Sequence, residues 1–304
     1  MFMTHKLFSI HTASDIYLLS LQSKQSRVTI KSLLNIIAFR FAKNKRHQDY
    51  DWSQLHYEKI LMLLSDLSNE GKSPATINVY LSALKGVAKE AWRKKLLSVE
   101  NYQHIKEIKR FKGTRSIKGR ALDLDELNAL IDYCMAQDGV IAMRDAAVIA
   151  LVYGAGLRRH EAAGLMLCDL NVRDGSIKVM GKGNKERINA LHDRNLEIID
   201  TWLDERGLMP GPLFLRARKG NRLINEPISG QTIYDIVIRR YKEAGLQRLT
   251  PHDLRRTFAT KLLENGEDVF LVQDLMGHSS VETTKNYDRR DEKAKTKAAK
   301  ALPF

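Results

Sequence analysis

Cysteine is scarce in this sequence, with two residues, Cys134 and Cys168, in a chain of 304. They do not have the paired spacing of a zinc site, and two cysteines cannot build a disulfide framework. Both stand among apolar neighbours, which predicts two buried, reduced thiols. Reduced thiols are typical of a cytoplasmic protein, and we expect that location here.

Long apolar runs are also missing. No stretch approaches the ~20 residues that cross a bilayer, and the N-terminus lacks the charged and apolar regions of a signal peptide. The glycine-rich turn Gly181-Lys182-Gly183-Asn184 lacks the flanking residues of a Walker A loop. The sequence therefore indicates neither a membrane protein nor a nucleotide hydrolase.

Acidic residues are fewer than basic ones, and the difference lies almost entirely in the first part of the chain. The formal charge is +14. Residues 1–120 hold 22 Lys and Arg against 9 Asp and Glu, whereas residues 121–304 hold 28 against 27. Such an excess suggests a polyanionic partner. Because membrane features are weak, we expect nucleic acid, with the first part of the chain supplying much of the attraction to phosphates.

The chain is long enough for about two domains, and hydrophobic periodicity predicts a mainly α fold with a small antiparallel β-sheet. Residues 1–105 read as a compact unit of four helices. Residues 106–120 contain two glycines and are rich in Lys and Arg, which is typical of a linker. Residues 121–304 read as a second, α+β domain whose clear sheet signal is a hairpin at 176–191.

Basic residues follow the polar face of the long helix that opens at Ser73-Pro74, and they continue into the linker. A basic helix face is often merely solvated, and that reading stays open. The charge excess favours a DNA-facing surface instead. Its candidate residues are Lys85, Lys89, Arg93, Lys94, Lys95, Lys109, Arg110 and Lys112.

The segment from Thr250 to Tyr287 gathers groups that suit phosphate chemistry. His252 and Arg255 lie three residues apart on a helix that Thr250 caps and Pro251 begins. His278 follows a glycine turn, and Tyr287 comes nine residues later. Arg and His can donate to a phosphate, and a phenolate can attack phosphorus. Taken singly, each of these residues is more often a packing or helix-end residue.

Two earlier stretches offer further candidates. Arg158 and Glu161 stand three apart after Gly156, so Glu161 could orient the arginine, or the two could form an ordinary surface ion pair. Lys182 lies at the tip of the predicted hairpin, where a lysine is mobile and is often only solvated.

These six residues, in this order and spacing, resemble the tyrosine recombinase (phage integrase) family. Gly156-Leu157-Arg158 with Glu161 resembles its first arginine box, and residues 181–187 resemble its β-hairpin lysine motif. His252-Asp253-Leu254-Arg255 resembles its His-x-x-Arg box, and residues 275–287 resemble its C-terminal box. The helical first region is similar to the family's core-binding domain. We expect no arm-binding domain before it, so the chain resembles the Xer-like members, which lack one.

The resemblance implies a mechanism. Arg158, Arg255 and His278 would hold the scissile phosphate, and Tyr287 would attack phosphorus to give a 3′-phosphotyrosine. Lys182 would protonate the leaving 5′ oxygen, and His252 would act as general base or proton relay. The bond energy is retained, so neither ATP, nor a cofactor, nor a metal is expected.

The resemblance also implies partners. These are double-stranded DNA with paired recombination sites and further copies of the chain in a homotetramer on DNA. Accessory DNA-bending proteins are a further candidate. The C-terminal tail, through Leu302 and Phe304, would dock on a neighbouring copy.

Two other functions remain open from the sequence. A type IB topoisomerase would use the same chemistry to relax DNA without paired sites. A DNA-binding protein that never cuts would need none of the six residues.

Overall fold

The structure, a computed structural model, describes residues 12–113, 119–181, 185–218, 220–278, 280–285 and 287–288. The chain divides into two compact units, an N-terminal unit of residues 1–118 and a C-terminal unit of residues 119–304. In the described residues it is mainly helical with small antiparallel sheets, as the sequence predicts.

Helices make up the described part of the N-terminal unit. They are α1 (Ala13–Ser20), α2 (Lys24–Phe41), α3 (Tyr57–Asn69), α4 (Pro74–Arg93) and α5 (Val99–Glu107). Ser73 caps α4 and Pro74 takes its first position, as predicted. The core contains Trp52, Leu64 and Leu84, all fully buried. Helix α1 crosses α4 closely at Gly86, where an added Cβ would clash with the Tyr17 ring.

Helix α5 differs from the expected four-helix unit. It begins at Val99, capped by Ser98, and extends into the stretch predicted to be a linker. Ile105 and Ile108 are buried in the core of this unit, and Phe111 packs against it. Residues 106–108 and 111 therefore belong structurally to the N-terminal unit.

Lys85 is a residue of α4 whose side chain reaches the C-terminal end of α5 and binds backbone carbonyls there. Its ammonium donates to the carbonyls of Lys106 and Ile108, each at 2.7 Å. Carbonyls at a helix C-terminus lack intrahelical partners, so a lysine there satisfies them. Burial, and then Arg110, lower the pKa of Lys85. Lys85 is thus a half-buried helix cap, in contrast to the exposed basic side chain expected from the pattern.

The C-terminal unit is built round one buried helix. Its first five helices are α6 (Leu124–Met135), α7 (Val140–Gly154), α8 (Arg159–Gly164), α9 (Asp193–Arg206) and α10 (Gly230–Glu243). Helix α7 is buried on nearly all sides from Ala146 to Val152, so it forms the centre of the core. The fully buried Asp145 accepts hydrogen bonds from Arg144, Arg239 and Arg240.

Two small antiparallel sheets complete this unit. The first has the order β1 (Leu170–Asn171), β2 (Ser176–Met180), β3 (Glu186–Ala190). Its β2–β3 pair is the predicted hairpin, with Ser176 opposite Ala190 and Met180 opposite Glu186. The second sheet pairs β4 (Leu215–Ala217) with β5 (Leu223–Pro227), which the sequence pattern does not predict.

The last three helices described form a small cluster of their own. They are α11 (Pro251–Glu264), α12 (Val269–Met276) and α13 (Val281–Lys285). Ala259, Leu263, Val272 and Met276 make an apolar cluster, and Tyr287 belongs to it. The helices that carry the C-terminal candidate residues are therefore held together by their own packing.

One expectation about the cysteines is wrong. Cys134 is buried, and burial raises the pKa of its thiol to about 12, but Cys168 is exposed. Cys168 lies in the 3₁₀ turn Leu167–Asp169, none of whose residues is fully buried. None of the described helices is long and apolar enough to cross a membrane.

Candidate active site

Arg158 immediately precedes α8 and is fixed by Glu161. The Arg158 backbone N–H donates to Glu161 Oε2 at 2.8 Å, and its Nη1 donates to Glu161 Oε1 at 2.7 Å. The Arg158 Nη2 also donates to the Gly277 carbonyl at 2.9 Å, which ties α8 to the end of α12. Because 39% of the Arg158 side chain is exposed, its guanidinium can still reach a ligand.

Glu161 is the centre of a buried arginine cluster, which consists of Arg158, Arg187 and Arg255 around this one carboxylate. The Glu161 side chain is 7% exposed. Arg187 Nη2 donates to it at 2.8 Å, and Arg255 Nη1 lies 3.6 Å from Oε2. Burial raises the pKa of Glu161, but hydrogen bonds from Arg187 and Arg158 outweigh this and lower it overall. Three guanidinium groups against one carboxylate leave a net positive site, which is suited to an anion.

Arg255 is the most deeply buried member of the arginine cluster, with 2% of the residue exposed. It donates to the Gly156 carbonyl at 2.5 Å and to the Met276 carbonyl at 2.6 Å. Desolvation, and then the charge of Arg158, lower its pKa to about 10. Gly156 has a φ of +56° and would clash with Phe258 if it carried a Cβ, so this close approach requires glycine.

His278 follows the left-handed turn that ends α12 at Gly277, whose φ is +59°. Its Nδ1 lies 2.8 Å from Thr284 Oγ1, and Gln273 donates to its backbone carbonyl at 3.0 Å. Desolvation and then the charges of Arg255 and Arg158 lower the pKa of His278 to about 3. His278 is therefore neutral at physiological pH, with one nitrogen that donates and one that accepts.

Tyr287 is held within its own chain. The residue is 4% exposed, and its backbone N–H donates to the Thr284 carbonyl at 2.9 Å. Its ring centroid lies 5.9 Å from that of His278 and 6.4 Å from that of His252. The tyrosine is thus brought between both histidines without a second copy of the protein.

His252 lies in the first turn of α11, where Thr250 and Asp253 form the N-terminal capping box. The His252 side chain has an exposed edge, yet the protein desolvates enough of it to lower its pKa. Arg256 and Arg255 lower that pKa further. A neutral imidazole at this position is able to accept a proton.

Two residues of β3 that the sequence pattern does not single out connect the hairpin to the site. Besides binding Glu161, Arg187 donates through Nε to the Leu275 carbonyl at 2.9 Å. Asn189 is 1% exposed and donates to the carbonyls of Ala155 and Leu275. They hold the strand that follows the predicted lysine tip. Lys182 itself lies outside the described residues.

A pocket of about 420 Å³ opens beside part of this set of residues. Arg158, His252 and Arg255 line it together with Arg159, His160 and Tyr234. The structure therefore brings Arg158, His252, Arg255, His278 and Tyr287 into one place, with Glu161 beneath them. In the described ranges, no group of three or more His, Cys, Asp or Glu is arranged to hold a metal ion.

The predicted DNA-binding residues lie in the N-terminal unit. Lys89, Arg93 and Lys95, on α4 and just after it, are exposed. Lys109, Arg110 and Lys112, beyond α5, are exposed as well, and Lys94 is half-buried. Arg93 forms an ion pair with Glu90 at 3.0 Å, so part of its charge is already compensated.

Comparisons with known proteins show the family of the chain. The phage integrase family matches residues 120–294. Tyrosine recombinase XerC of Pelobacter propionicus is 39% identical over 168 residues, which cover 55% of this chain and 54% of the relative. Tyrosine recombinase XerC of Shewanella amazonensis is 34% identical over 247 residues, which cover 79% of this chain and 78% of the relative.

A solved structure is similar over most of the chain. It is the XerH site-specific recombinase bound to its difH substrate in a pre-cleavage complex. The TM-score is 0.60 at 26% identity, and the match covers 82% of this chain and 71% of that one. The fold and the site define an enzyme that cuts and rejoins DNA at specific sites. The chain belongs to the phage integrase family of tyrosine recombinases.

Proposed function

We propose that this recombinase cuts and rejoins DNA through a 3′-phosphotyrosine and exchanges strands through a Holliday junction. The observation that carries the proposal is the position of Tyr287, buried in its own chain beside His252 and His278 and near the arginine cluster. That combination supplies a nucleophile, a proton acceptor and a site for the charge of a phosphate.

In the first step the Tyr287 oxygen attacks the scissile phosphorus. The phenol proton passes to His252, the O–P bond to tyrosine forms, and the P–O5′ bond breaks. Lys182 donates a proton to the leaving 5′ oxygen. Arg158 and Arg255 neutralise the charge that develops on the non-bridging oxygens. When the Nδ1 of His278 accepts a hydrogen bond from Thr284, the ring proton is on Nε2. That N–H then donates a hydrogen bond to a non-bridging oxygen of the phosphate.

In the second step a 5′-hydroxyl of the partner strand attacks the phosphotyrosine. This attack restores a P–O5′ bond and breaks the bond from phosphorus to the Tyr287 oxygen. Lys182, left neutral by the first step, takes the hydroxyl proton, and protonated His252 returns a proton to the released phenolate. The number of phosphodiester bonds is unchanged, so the cycle needs neither ATP nor another cofactor.

The N-terminal unit is proposed to bind DNA at the recombination site through its basic residues, with residues 106–120 continuing along the DNA backbone.

The working assembly is proposed to be a homotetramer on two paired sites, with accessory DNA-bending proteins as further partners. Leu302 and Phe304, which lie outside the described residues, would dock on a neighbouring copy. Deleting residues 299–304 is expected to weaken synapsis and spare single-site binding; unchanged recombination would contradict the tail exchange.

The experiment uses host genomic DNA that carries random nicks. A nick close to the scissile phosphate lets the short fragment with the free 5′-hydroxyl diffuse away, so the covalent complex accumulates. Denaturation, recovery of protein-linked DNA and sequencing are expected to reveal one recurrent site. Tyr287→Phe is expected to bind this DNA and yield no adduct. Adducts from Tyr287→Phe, or adducts spread over all sequences, would contradict the proposal.

A further inference from the structure

Arg256 follows Arg255 on α11 but contacts a different partner. Its guanidinium carbon lies 5.2 Å from the centroid of the Tyr287 ring. A guanidinium at this distance over an aromatic face makes a cation–π contact. Arg255, in contrast, is occupied by the carbonyls of Gly156 and Met276.

Arg256 is also unusually buried for a charged residue. It is 5% exposed, and its Nε has no hydrogen-bond partner among the described residues. A buried cation is costly unless something compensates its charge. The face of Tyr287 supplies part of that compensation. Gly119 also packs closely here, because an added Cβ would lie 3.2 Å from Arg256 Nη2 and 2.7 Å from Asp253 Oδ1.

We propose that Arg256 is a positioning residue for Tyr287: its flat guanidinium lies on the ring face and fixes the plane in which the phenol oxygen meets the phosphate. This inference rests on the proposed function, since it assigns a role only if Tyr287 is the nucleophile. Arg256 differs from the arginine cluster because it acts through the tyrosine and does not itself hold the phosphate.

The surroundings of His252 support the proposal. The charged and titratable groups that influence its imidazole or lie beside it include Arg255, Arg256 and Asp253 of α11, Arg158 at the start of α8, His278 and the Tyr287 ring. After desolvation, Arg256 is the largest cause of the lowered pKa of His252. One cation therefore borders both the proposed nucleophile and the proposed proton acceptor.

The test compares Arg256→Gln, Arg256→Lys and the control Lys261→Gln in the full chain. Lys261 is on the same helix, and its ammonium pairs with Glu264 at 2.9 Å. The control therefore also removes one positive charge from α11, but not the one that contacts Tyr287. Single-turnover adduct formation is measured on a nicked duplex that carries the site recovered by trapping. Binding is measured on the intact duplex, and the His252 ring is titrated by NMR in the free protein.

We expect Arg256→Gln to slow adduct formation roughly ten-fold, the size of a desolvated cation–π contact, while binding stays unchanged. The pKa of His252 should rise towards its ordinary value in this variant. Arg256→Lys keeps the charge but lacks the planar group, so the titration of His252 should stay as in the wild type while cleavage slows less. The control should match the wild type in all three measurements.

Three outcomes would overturn the proposal. They are adduct formation at the wild-type rate in Arg256→Gln, an equal loss of binding and cleavage, and an unchanged His252 titration in that variant. If Arg256→Gln does not fold, Arg256→Lys decides the question: slowed cleavage with an unchanged His252 titration supports the proposal, and a wild-type rate overturns it. Failure of the proposed function would be recognised separately, by an adduct that persists in Tyr287→Phe.

Discussion

Among the single residues of the site, Glu161 determines the balance of charge. Its carboxylate contacts two guanidinium groups and lies near a third, which leaves the arginine cluster with excess positive charge. A phosphate can supply the missing negative charge. The sequence left open whether Arg158 and Glu161 formed an ordinary surface ion pair. Burial of the carboxylate decides against that reading.

The first prediction concerns acid pH and His278. The unfolded chain binds a proton at His278 near pH 6.5, whereas the folded chain does so only near pH 3. The neutral form is therefore favoured by folding, and its stabilisation is present above pH 6.5 and lost as the pH falls towards 3. Between pH 6.5 and 5 the free energy of unfolding should drop by roughly 1.5 kcal/mol more in the wild type than in His278→Gln.

Denaturant unfolding at several pH values measures this difference. Parallel curves for the two proteins between pH 6.5 and 5 would contradict the lowered pKa of His278.

Residue types and spacing were enough to nominate five side chains that the structure places together. Arg158, His252, Arg255, His278 and Tyr287 were found because functional groups recur in a fixed order that resembles a known family. Arg187, Thr284 and Arg256 could not be found in that way. Their roles depend on tertiary contacts and on burial, which no local pattern specifies. The hydrogen bond from Arg187 to the Leu275 carbonyl, for example, joins residues 88 positions apart in the sequence.

The β2–β3 hairpin is the element that connects the lysine motif to the rest of the site. Its inner face is buried at Ile177 and Val179, while Arg187 and Asn189 tie β3 to the carbonyls near the end of α12. These anchors hold strand β3, which follows the predicted lysine tip in the sequence. Their loss should release that strand without unfolding the unit.

The second prediction tests this anchor with Arg187→Met. The variant removes the bonds to Glu161 and Leu275, so amides of β3 should exchange with solvent faster and adduct formation should fall about ten-fold or more. Lys178→Gln is the control, because Lys178 lies on the neighbouring strand and makes only a 3.9 Å contact with Glu186. Hydrogen exchange followed by mass spectrometry compares them. Unaltered exchange in Arg187→Met would show that the hairpin is held by other contacts.

Helices with strong apolar periodicity were predicted well, and α5 was not. Its sequence, Val99 to Glu107, is mostly polar, and its one fully buried side chain is Ile105. Such a helix is stabilised by tertiary contacts, here the packing of Ile105 and the cap from Lys85. For the same reason the strands β4 and β5, which are short and partly exposed, left no clear alternating pattern.

At the scale of the whole molecule, charge and chemistry are divided between the two units. The excess charge lies in residues 1–120, and the described site residues lie in the C-terminal unit. The proposed DNA affinity and the proposed cleavage should therefore respond to different substitutions.

The third prediction uses this division. The combined change of Lys89, Lys109 and Lys112 to Gln should weaken binding to DNA of any sequence. The slope of log affinity against log salt should become shallower by up to about 0.9 for each phosphate that the variant no longer neutralises. The control changes Lys178, Lys261 and Lys285 to Gln, which removes the same charge from lysines near glutamates. Equal salt slopes for both variants would contradict a DNA-facing surface on the N-terminal unit.

The central claim is that Tyr287 becomes joined to a 3′ phosphate of DNA. The direct measurement is mass spectrometry of the covalent complex after digestion by nuclease and protease. The proposed mechanism predicts a peptide in which Tyr287 carries a phosphodiester to the 3′ oxygen of a nucleotide, with a free 5′-hydroxyl on the released strand. A linkage to another residue, or to a 5′ phosphate, would contradict it.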